Sequence, residues 1–563
     1  MPQALLDRTR VLERLSAPVS DATLEDLLFT SKAELEAHDA ETLTVSVTPD
    51  RLDLLSEGGL SLYLEGASGA AHGLPRLPVV EGPGPAPFIE ADRSVRSLRP
   101  FVAGVVVAAP SDSGVDAGIL AEAVRFQELL HATIGRDRRA ASLGIYPMER
   151  LSPPFRYALD PMNGVRFVPL DASEETSAEP FFRDHPMALK YGALGRVGET
   201  CLTLRDSKGT ILSLPPILNS RTGGEALVGD RILLLESTGT RERAVRESLG
   251  LLLVVFLSRG WTVTPVGIRS GSSSTDGRDV FEPRSLDLTS HALRALAGVA
   301  YPAGEVEQRL GRSRLTGHSH AGGWRVSVPS WRPDLQCEVD LAEEVILAQT
   351  VRPEDGLLPP SYSRGRRRRG TVFRRRVASA LLGLGLAAPF TGLLVSERAV
   401  QRVAGATPIR LAYPPSAEYA FIRDRLLLAH LEVLGRNTRH GYPQRFAEVG
   451  PVVVADASAE PGAQTRYHAG AILASDAAGF ADAAALVDYL LRAEDIVAVR
   501  EPADIPGTIS GRAARARVAG EPVAEMGEVH PAVLADLGVP VPVAWAEVDL
   551  TALYPLLGRR DSD

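Results

Sequence analysis

Cysteine is almost missing from this chain, which has two in 563 residues, Cys201 and Cys337. One pair cannot build a disulfide framework or a four-thiolate metal site, so both read as packing residues. Lysine is nearly as scarce: only Lys32, Lys190 and Lys208 occur, and arginine carries the remaining positive charge, a pattern that reads as coding bias beside the abundant Ala, Gly and Pro. Long hydrophobic runs are absent too. The nearest approach to the roughly 18 apolar residues of a bilayer span lies around Leu249 to Leu257, which is short and flanked by Arg246 and Arg259. The N-terminal stretch MPQALLDRTRVLERL is charged throughout, which argues against a secretory leader and makes a cytoplasmic location the expectation. A formal net charge of −9 excludes a surface that coats nucleic acid indiscriminately, while leaving room for a local basic patch. Walker loop, Gly-rich dinucleotide fingerprint and metal-spaced histidine pair are all lacking. GLGLAAP reads as a helix end, and His318 and His320 in GHSHAGG as a solvated polar-loop pair.

What is present is enough apolar residue, 45% of the chain against 23% charged, to bury several cores. Single cores stop growing well below this length, so roughly three to five domains are expected. In the first span, 1–95, LEDLLFTSKAELEAHD reads as helix, TLTVSVTP as a half-buried strand and LDLLSEGGLSLYLEG as helix, followed by a Gly/Pro-rich linker from Ala67 to Phe88. The second, 96–270, alternates strands such as FVAGVVVAA and RILLLES with helices such as RAVRESLGLLLVVFLS, the pattern of a mixed α/β domain. RSGSSSTDGRD reads as a Gly/Ser loop opening the third, 271–355, a small α+β module that ends in an acidic helix. PPSYSRGRRRRG is a basic connector into the fourth, 356–563, where an amphipathic helix and strands such as IRLAYP, FAEVGPVVVA, RYHAGAILA and VAEMGEVH predict an antiparallel sheet with helices segregated to one side. The fold class is thus multidomain α+β with a mixed α/β part.

The densest chemical signal is VPSWRPDLQCEVDLAEEV, residues 328–345. Asp340, Glu343 and Glu344 stand at i, i+3 and i+4 and share a helical face, and Asp334 can fold back toward it. Like charges so gathered repel unless something positive sits among them. An all-oxygen set suits Mg²⁺, but a solvated acidic helix start favoured by the helix dipole fits the spacing equally.

That stretch, together with TPDRLDLLSEGGLSLYL, RPFVAGVVV, QELLHATIGRDRRAASLGIY, HPMALKYG, ILSLPPILNS, LLESTGT, NTRHGYPQRFAEVG, GRAARARVAG and MGEVHPAVL, resembles in order and over nearly the full length the β subunits of phenylalanyl-tRNA synthetases of the archaeal and eukaryotic type. The resemblance implies an α2β2 ligase in which the α subunit charges tRNA(Phe) with phenylalanine using ATP, while this chain has no aminoacylation site. It implies that Asp334, Asp340, Glu343 and Glu344 hold Mg²⁺ shared with the α subunit, and that the last domain is a degenerate class II core. The second domain resembles the editing (B3/B4) domain that hydrolyses tyrosine mischarged onto the tRNA, and the third resembles the B5 module. Family editing-pocket positions fall on Leu204, Ser213, Glu236 and Thr238. Glu236 stands where the archaeal pattern has Asp, and Arg241 replaces a closing Asp. The extra methylene moves the carboxylate by about a bond length, which matters to a hydrogen bond of ~2.7 Å.

Other residues read more plainly. Ser213, Asn219 and Thr238 could as well satisfy backbone groups at strand ends, and His185 before Pro in HPMALKYG, with Lys190, fits a structural turn. The run RGRRRRGTVFRRR, Arg364 to Arg376, would attract a tRNA backbone or serve as a solvated linker face. A paralogous non-catalytic scaffold recruited beside an α-like partner, for a drug-resistant synthetase or a specialised amino-acid ligase, is the competing expectation.

Overall fold

The computed structural model describes residues 2–15, 18–80, 86–112, 114–348, 364–403 and 408–557. Residues 81–85 of the expected linker and 359–363 of the expected basic connector lie outside these. Two compact units, Met1–Leu358 and Pro359–Asp563, divide the chain.

The first unit opens with a three-stranded antiparallel sheet in which Thr42–Val47 runs between Gln3–Asp7 and Ala33–His38. Leu43, Val45 and Val47 alternate into the core. The helix expected across LEDLLFTSKAELEAHD stops at Phe29. Lys32 then takes a left-handed turn at φ 64° and Ala33–His38 is a strand, because a period of two in AELEAH outweighs the good helix propensity of its residues. Ser20 and Ser56 cap the helices Asp21–Phe29 and Glu57–Ala67, each accepting from an amide three residues on.

Next comes an eleven-stranded mixed sheet, in which Thr262–Ser270, Phe101–Ala108, Ile232–Gly239 and the edge strand Ala141–Pro147 pair antiparallel in that order. Phe88–Ala91, inside the span expected for the first domain, is a strand of this sheet. RSGSSSTDGRD contributes Ser273–Thr275, which folds back on Thr262–Ser270 as a hairpin. The helices Ala117–Ala132 and Glu242–Leu257 pack against the sheet. Leu249 to Phe256 is buried all round, which explains a nearly continuous apolar stretch in a helix of 16 residues. Among the described residues no helix is long and apolar enough to cross a membrane.

A third, small sheet places Gly323–Val328 between Arg284–Thr289 and Thr316–His320, with helices Ser290–Ala297, Ala303–Arg312 and Glu338–Leu347 around one core. His318 and His320, expected in a loop, are exposed residues of the edge strand.

The second unit is built on a six-stranded antiparallel sheet, in order Gln444–Ala455, Ala463–Ala474, Val543–Asp549, Glu521–Val529, Thr508–Val518 and Val499–Pro502. The expectation of helices on one side alone is corrected. Arg369–Gly383, Phe480–Arg492 and Leu550–Leu557 share a core with Ala544, Ala546 and Val548, whereas Leu426–Arg436 packs with Val543 and Trp545. Val543 and Trp545 point to one side of Val543–Asp549 and Ala544, Ala546 and Val548 to the other, so each side recruits its own helical cover. IRLAYP supplies only Ile409–Arg410, in a separate small sheet.

Candidate functional site: a buried carboxylate pocket and the acidic helix

Ile232–Gly239 lies between two strands that each put a glycine opposite Glu236: Gly104 on one side and Gly144 on the other. Leu234, Glu236 and Thr238 alternate with Leu233, Leu235 and Ser237, so the sequence LLLEST sends one carboxylate into an otherwise apolar layer. Beside it is a cavity of about 420 Å³, lined among others by Tyr146, Ser213, Leu214, Ile217, Asn219 and Glu236. The Tyr146 hydroxyl donates to Glu236 Oε2 at 2.9 Å and lies 2.9 Å from Ser213 Oγ. Glu236 Oε1 is buried with no hydrogen-bond partner. Burial pushes the Glu236 carboxyl up to about 7, against the pull of the Tyr146 hydroxyl, the Arg99 guanidinium and the Thr238 hydroxyl.

Of the four residues expected at an editing pocket, Ser213 and Glu236 line the cavity. Leu204 does not: it is fully buried in the core with Ile89, Tyr157 and Leu212. Thr238 stands behind the wall, its hydroxyl 3.1 Å from Ser142 Oγ and its carbonyl accepting from Arg99 Nη2 at 2.6 Å. Asn219 donates to the Gly224 carbonyl at 3.1 Å. His185 accepts from the Met187 amide at 3.2 Å and meets Asp171 at 3.1 Å, a capped helix start outside the cavity lining.

Three further lining residues, Glu128, His131 and Arg138, were not expected here; the sequence reads Arg138, with Arg136 and Arg139, as a surface arginine, whereas its side chain is buried. Arg138 donates to both oxygens of Glu128 at 2.9 Å and to the Pro216 and Ile217 carbonyls at 3.1 and 2.9 Å. His131 accepts at Nε2 from the Leu143 amide at 2.8 Å and faces Glu128 through Nδ1 at 3.2 Å. With both ring nitrogens engaged and burial holding its pKa below the usual value, His131 is a neutral strut, not a free base. Arg136, Asp137 and Arg138 all have φ between 50° and 64°. Three successive non-glycine residues in that region are costly, and the anchored Arg138 side chain holds the turn in place. The only sequence signal for it was the run GRDRR.

The acidic helix is organised differently from an ion's oxygen shell. Arg332, from the turn before the helix, donates to Asp334 at 2.8 to 3.2 Å and to Glu344 at 2.6 Å, all three side chains being at most 5% exposed. Burial alone would raise Glu344, but Arg332 and Arg51 bring it down to about 2. Asp340 is spent as a helix cap, accepting from the Gln336 and Cys337 amides at 2.6 and 2.9 Å. Glu343, on the surface, takes a hydrogen bond from Lys32 at 2.7 Å. Among the described residues no three His, Cys, Asp or Glu side chains are grouped to hold a metal ion. The four expected ligands therefore do not converge, and the positive group among them is a guanidinium. As arranged, they do not fit Mg²⁺.

Two family models match the sequence: the phenylalanyl tRNA synthetase beta chain CLM domain over residues 357–550 and the tRNA synthetase B5 domain over 286–349. The chain is 29% identical over 559 residues to the phenylalanine–tRNA ligase beta subunit of Korarchaeum cryptofilum, covering 98% of each protein. It is 26% identical over 542 residues to that of Thermococcus sibiricus, covering 94% of this chain and 95% of the relative. It is 28% identical over 555 residues to that of Archaeoglobus fulgidus, covering 96% and 97%. In structure it is similar to an N-terminal fragment of the phenylalanyl-tRNA synthetase beta subunit from Pyrococcus horikoshii, with a TM-score of 0.57 and 23% identity, over 62% of this chain and 99% of the fragment, a likeness of fold.

Proposed function

The chain belongs to the β-subunit family of phenylalanine–tRNA ligases, and from that premise we propose how it takes part in the ligase reaction. It pairs with an α subunit, in an α2β2 assembly, that binds ATP and Mg²⁺ and charges tRNA(Phe) with phenylalanine. Its own second unit serves as a class II-like core without adenylation chemistry. The observation that carries this reading is end-to-end correspondence with β subunits of the same length, 98% of both chains in one case. Coexpression with the α subunit encoded in the same genome tests it: the pair is expected to copurify and to charge tRNA(Phe). Failure of an authentic pair to charge would favour the paralogous scaffold instead.

Within the complex, the cavity beside Glu236 acts as a hydrolytic site for tyrosine mischarged onto tRNA(Phe). An apolar pocket rejects an added hydroxyl poorly, whereas a site that hydrogen-bonds the hydroxyl selects for it. Glu236 Oε1 is the buried acceptor such a site needs. The carboxylate binds and orients; the apolar walls from Leu214 to Ile217 exclude water from the ring. Glu236→Gln is expected to reduce deacylation of Tyr-tRNA(Phe) about ten- to a hundredfold, the worth of a hydrogen bond to a charged group, in a single-turnover assay. Unchanged deacylation would remove Glu236 from the site.

Arg364, Arg366, Arg367 and Arg368 are exposed, whereas Arg374 stacks on Tyr467 at 3.9 Å and Arg376 is paired with Glu494 at 2.5 Å. Arg364, Arg366, Arg367 and Arg368, at the head of the run, are suited to tRNA phosphate. Replacing them by serine is expected to weaken tRNA binding and to lower the salt slope of the affinity by about one for each arginine–phosphate pairing removed; an unaltered slope would make the run a solvated linker.

A further inference from the structure

We propose that Tyr146 is the positioning residue of this pocket. With Ser213, it fixes Glu236 so that one oxygen, Oε1, remains as the acceptor for a single hydroxyl on an aromatic ligand. The inference rests on the hydrolytic reading above and deepens it. A phenol has one proton, and the Tyr146 proton goes to Glu236 Oε2; its oxygen can then accept from the Ser213 hydroxyl, giving a one-directional chain Ser213 to Tyr146 to Glu236. All three residues are buried, so a broken hydrogen bond is not replaced by water. The second oxygen of the carboxylate has no partner, although buried polar atoms are nearly always satisfied. A ligand hydroxyl at that point supplies the missing donor, whereas a phenylalanyl ring leaves it missing.

The backbone is shaped for this arrangement. Gly144 and Tyr146 share a face of their strand, and a Cβ at Gly144 would collide with the Tyr146 phenol. Glycine there lets the ring lie back along its own strand until the hydroxyl reaches Glu236, whose register partner is Gly144 itself. The longer Glu side chain, in place of the Asp of the family pattern, is thus held by an internal phenol instead of reaching freely into the cavity. Because Oε2 is committed, protonation of Glu236 falls on Oε1 and turns the charged acceptor into a donor, which weakens its hold on the proton of a ligand hydroxyl. The ionisable groups facing the carboxylate are Tyr146, Tyr157 and Arg99, and Glu128, His131 and Arg138 line the same cavity. Discrimination should therefore fade on the acid side of neutrality.

The test uses the full chain with its α subunit and measures hydrolysis of Tyr-tRNA(Phe) and Phe-tRNA(Phe) against pH. Tyr146→Phe is expected to keep kcat within about threefold, to raise KM for the tyrosyl substrate about tenfold, and to displace the acid limb of the profile. Ser213→Ala should act in the same direction more weakly, and it stands in if Tyr146→Phe fails to fold. A Tyr/Phe preference and pH profile unchanged in both variants, while Glu236→Gln loses them, would overturn the role of Tyr146 and leave the hydrolytic reading standing. Absence of hydrolysis by the unaltered complex would overturn both.

Discussion

Replacing Arg332 by methionine is expected to destabilise the first unit by about 3–5 kcal/mol, the cost of leaving buried charge without its partner. Here two carboxylates would be stranded at once, Asp334 and Glu344, each nearly inaccessible to water. A buried Arg51–Asp53 pair, joined at 2.9 and 3.0 Å, adds a second guanidinium near Glu344 but donates to Asp53. Arg332→Lys should fall between, because a compact ammonium lacks the planar five-donor fork with which Arg332 grips Asp334 while reaching Glu344. Combining Arg332→Met with Asp334→Leu and Glu344→Leu should recover much of the stability, since the penalty is unpaired charge more than missing attraction. Urea denaturation monitored in the first unit measures all three. The same geometry predicts that Mg²⁺ or a chelator leaves the melting temperature of the isolated chain unmoved. An ion would have to draw Asp340 off its cap and Glu343 off Lys32. A stabilisation by Mg²⁺ beyond its effect on an Asp340→Asn variant would sink this view of the helix.

The second large effect is a pH response of the second unit. His468 lies between Glu547, to which Nδ1 donates at 2.6 Å, and Asp549, 3.5 Å from Nε2. Burial works against its charge, yet hydrogen bonds to Asp549 and Glu547 prevail and raise it from 6.5 to about 9. A raised histidine contributes stability in full below its unfolded pKa of 6.5, and that contribution is lost as pH climbs through about 9. A shift of this size corresponds to about 3 kcal/mol. Glu547 and Asp549 are lowered instead, so what they contribute is present above their ordinary carboxylate range and disappears as pH falls through the lowered values. Stability is thus expected to be highest between about pH 4.5 and 6.5 and to decline on the alkaline side. His468→Gln should flatten that alkaline limb in thermal melts; a limb of unaltered steepness would assign it to other groups. Glu547 also accepts from the Leu426 and Leu427 amides at 2.8 and 3.2 Å, so the same carboxylate starts the helix Leu426–Arg436 and neutralises His468.

How far such features can be read from sequence depends on whether they are local. The long antiparallel strands of the second unit and the acidic helix were legible, because period two and period 3.6 are properties of short windows. The second helical cover was not: a strand buried on both faces, such as VAWAEVD, and one buried on a single face differ only through their neighbours. Spacing disclosed that the carboxylates needed a cation, yet not that Arg332, within the same motif, already supplied it. In the pocket, motif position located Ser213 and Glu236. Leu204 lies just off the cavity where the pairing register changes at Leu204/Arg205, and the Thr238 hydroxyl is turned to Ser142. Tyr146 carried no signal on its own, since an aromatic in a strand ordinarily means packing.

The apolar helix Glu242–Leu257 reaches beyond its own sheet. Side chains of the leading three-stranded sheet and of Glu57–Ala67 belong to the same core as Leu249 to Phe256, and Gly58 meets the end of this helix so closely that a Cβ there would strike Ser258 Oγ. Glu122, beneath it, accepts from the Gly58 amide at 2.8 Å and from Arg259 at 2.7 Å. The opening sixty-seven residues are therefore a wall of the domain that carries the Glu236 cavity rather than an appendage. Dissection of this protein into a fragment that keeps the cavity must retain them, and a fragment begun at Phe88 would present a bare greasy helix to solvent and aggregate before it could be assayed.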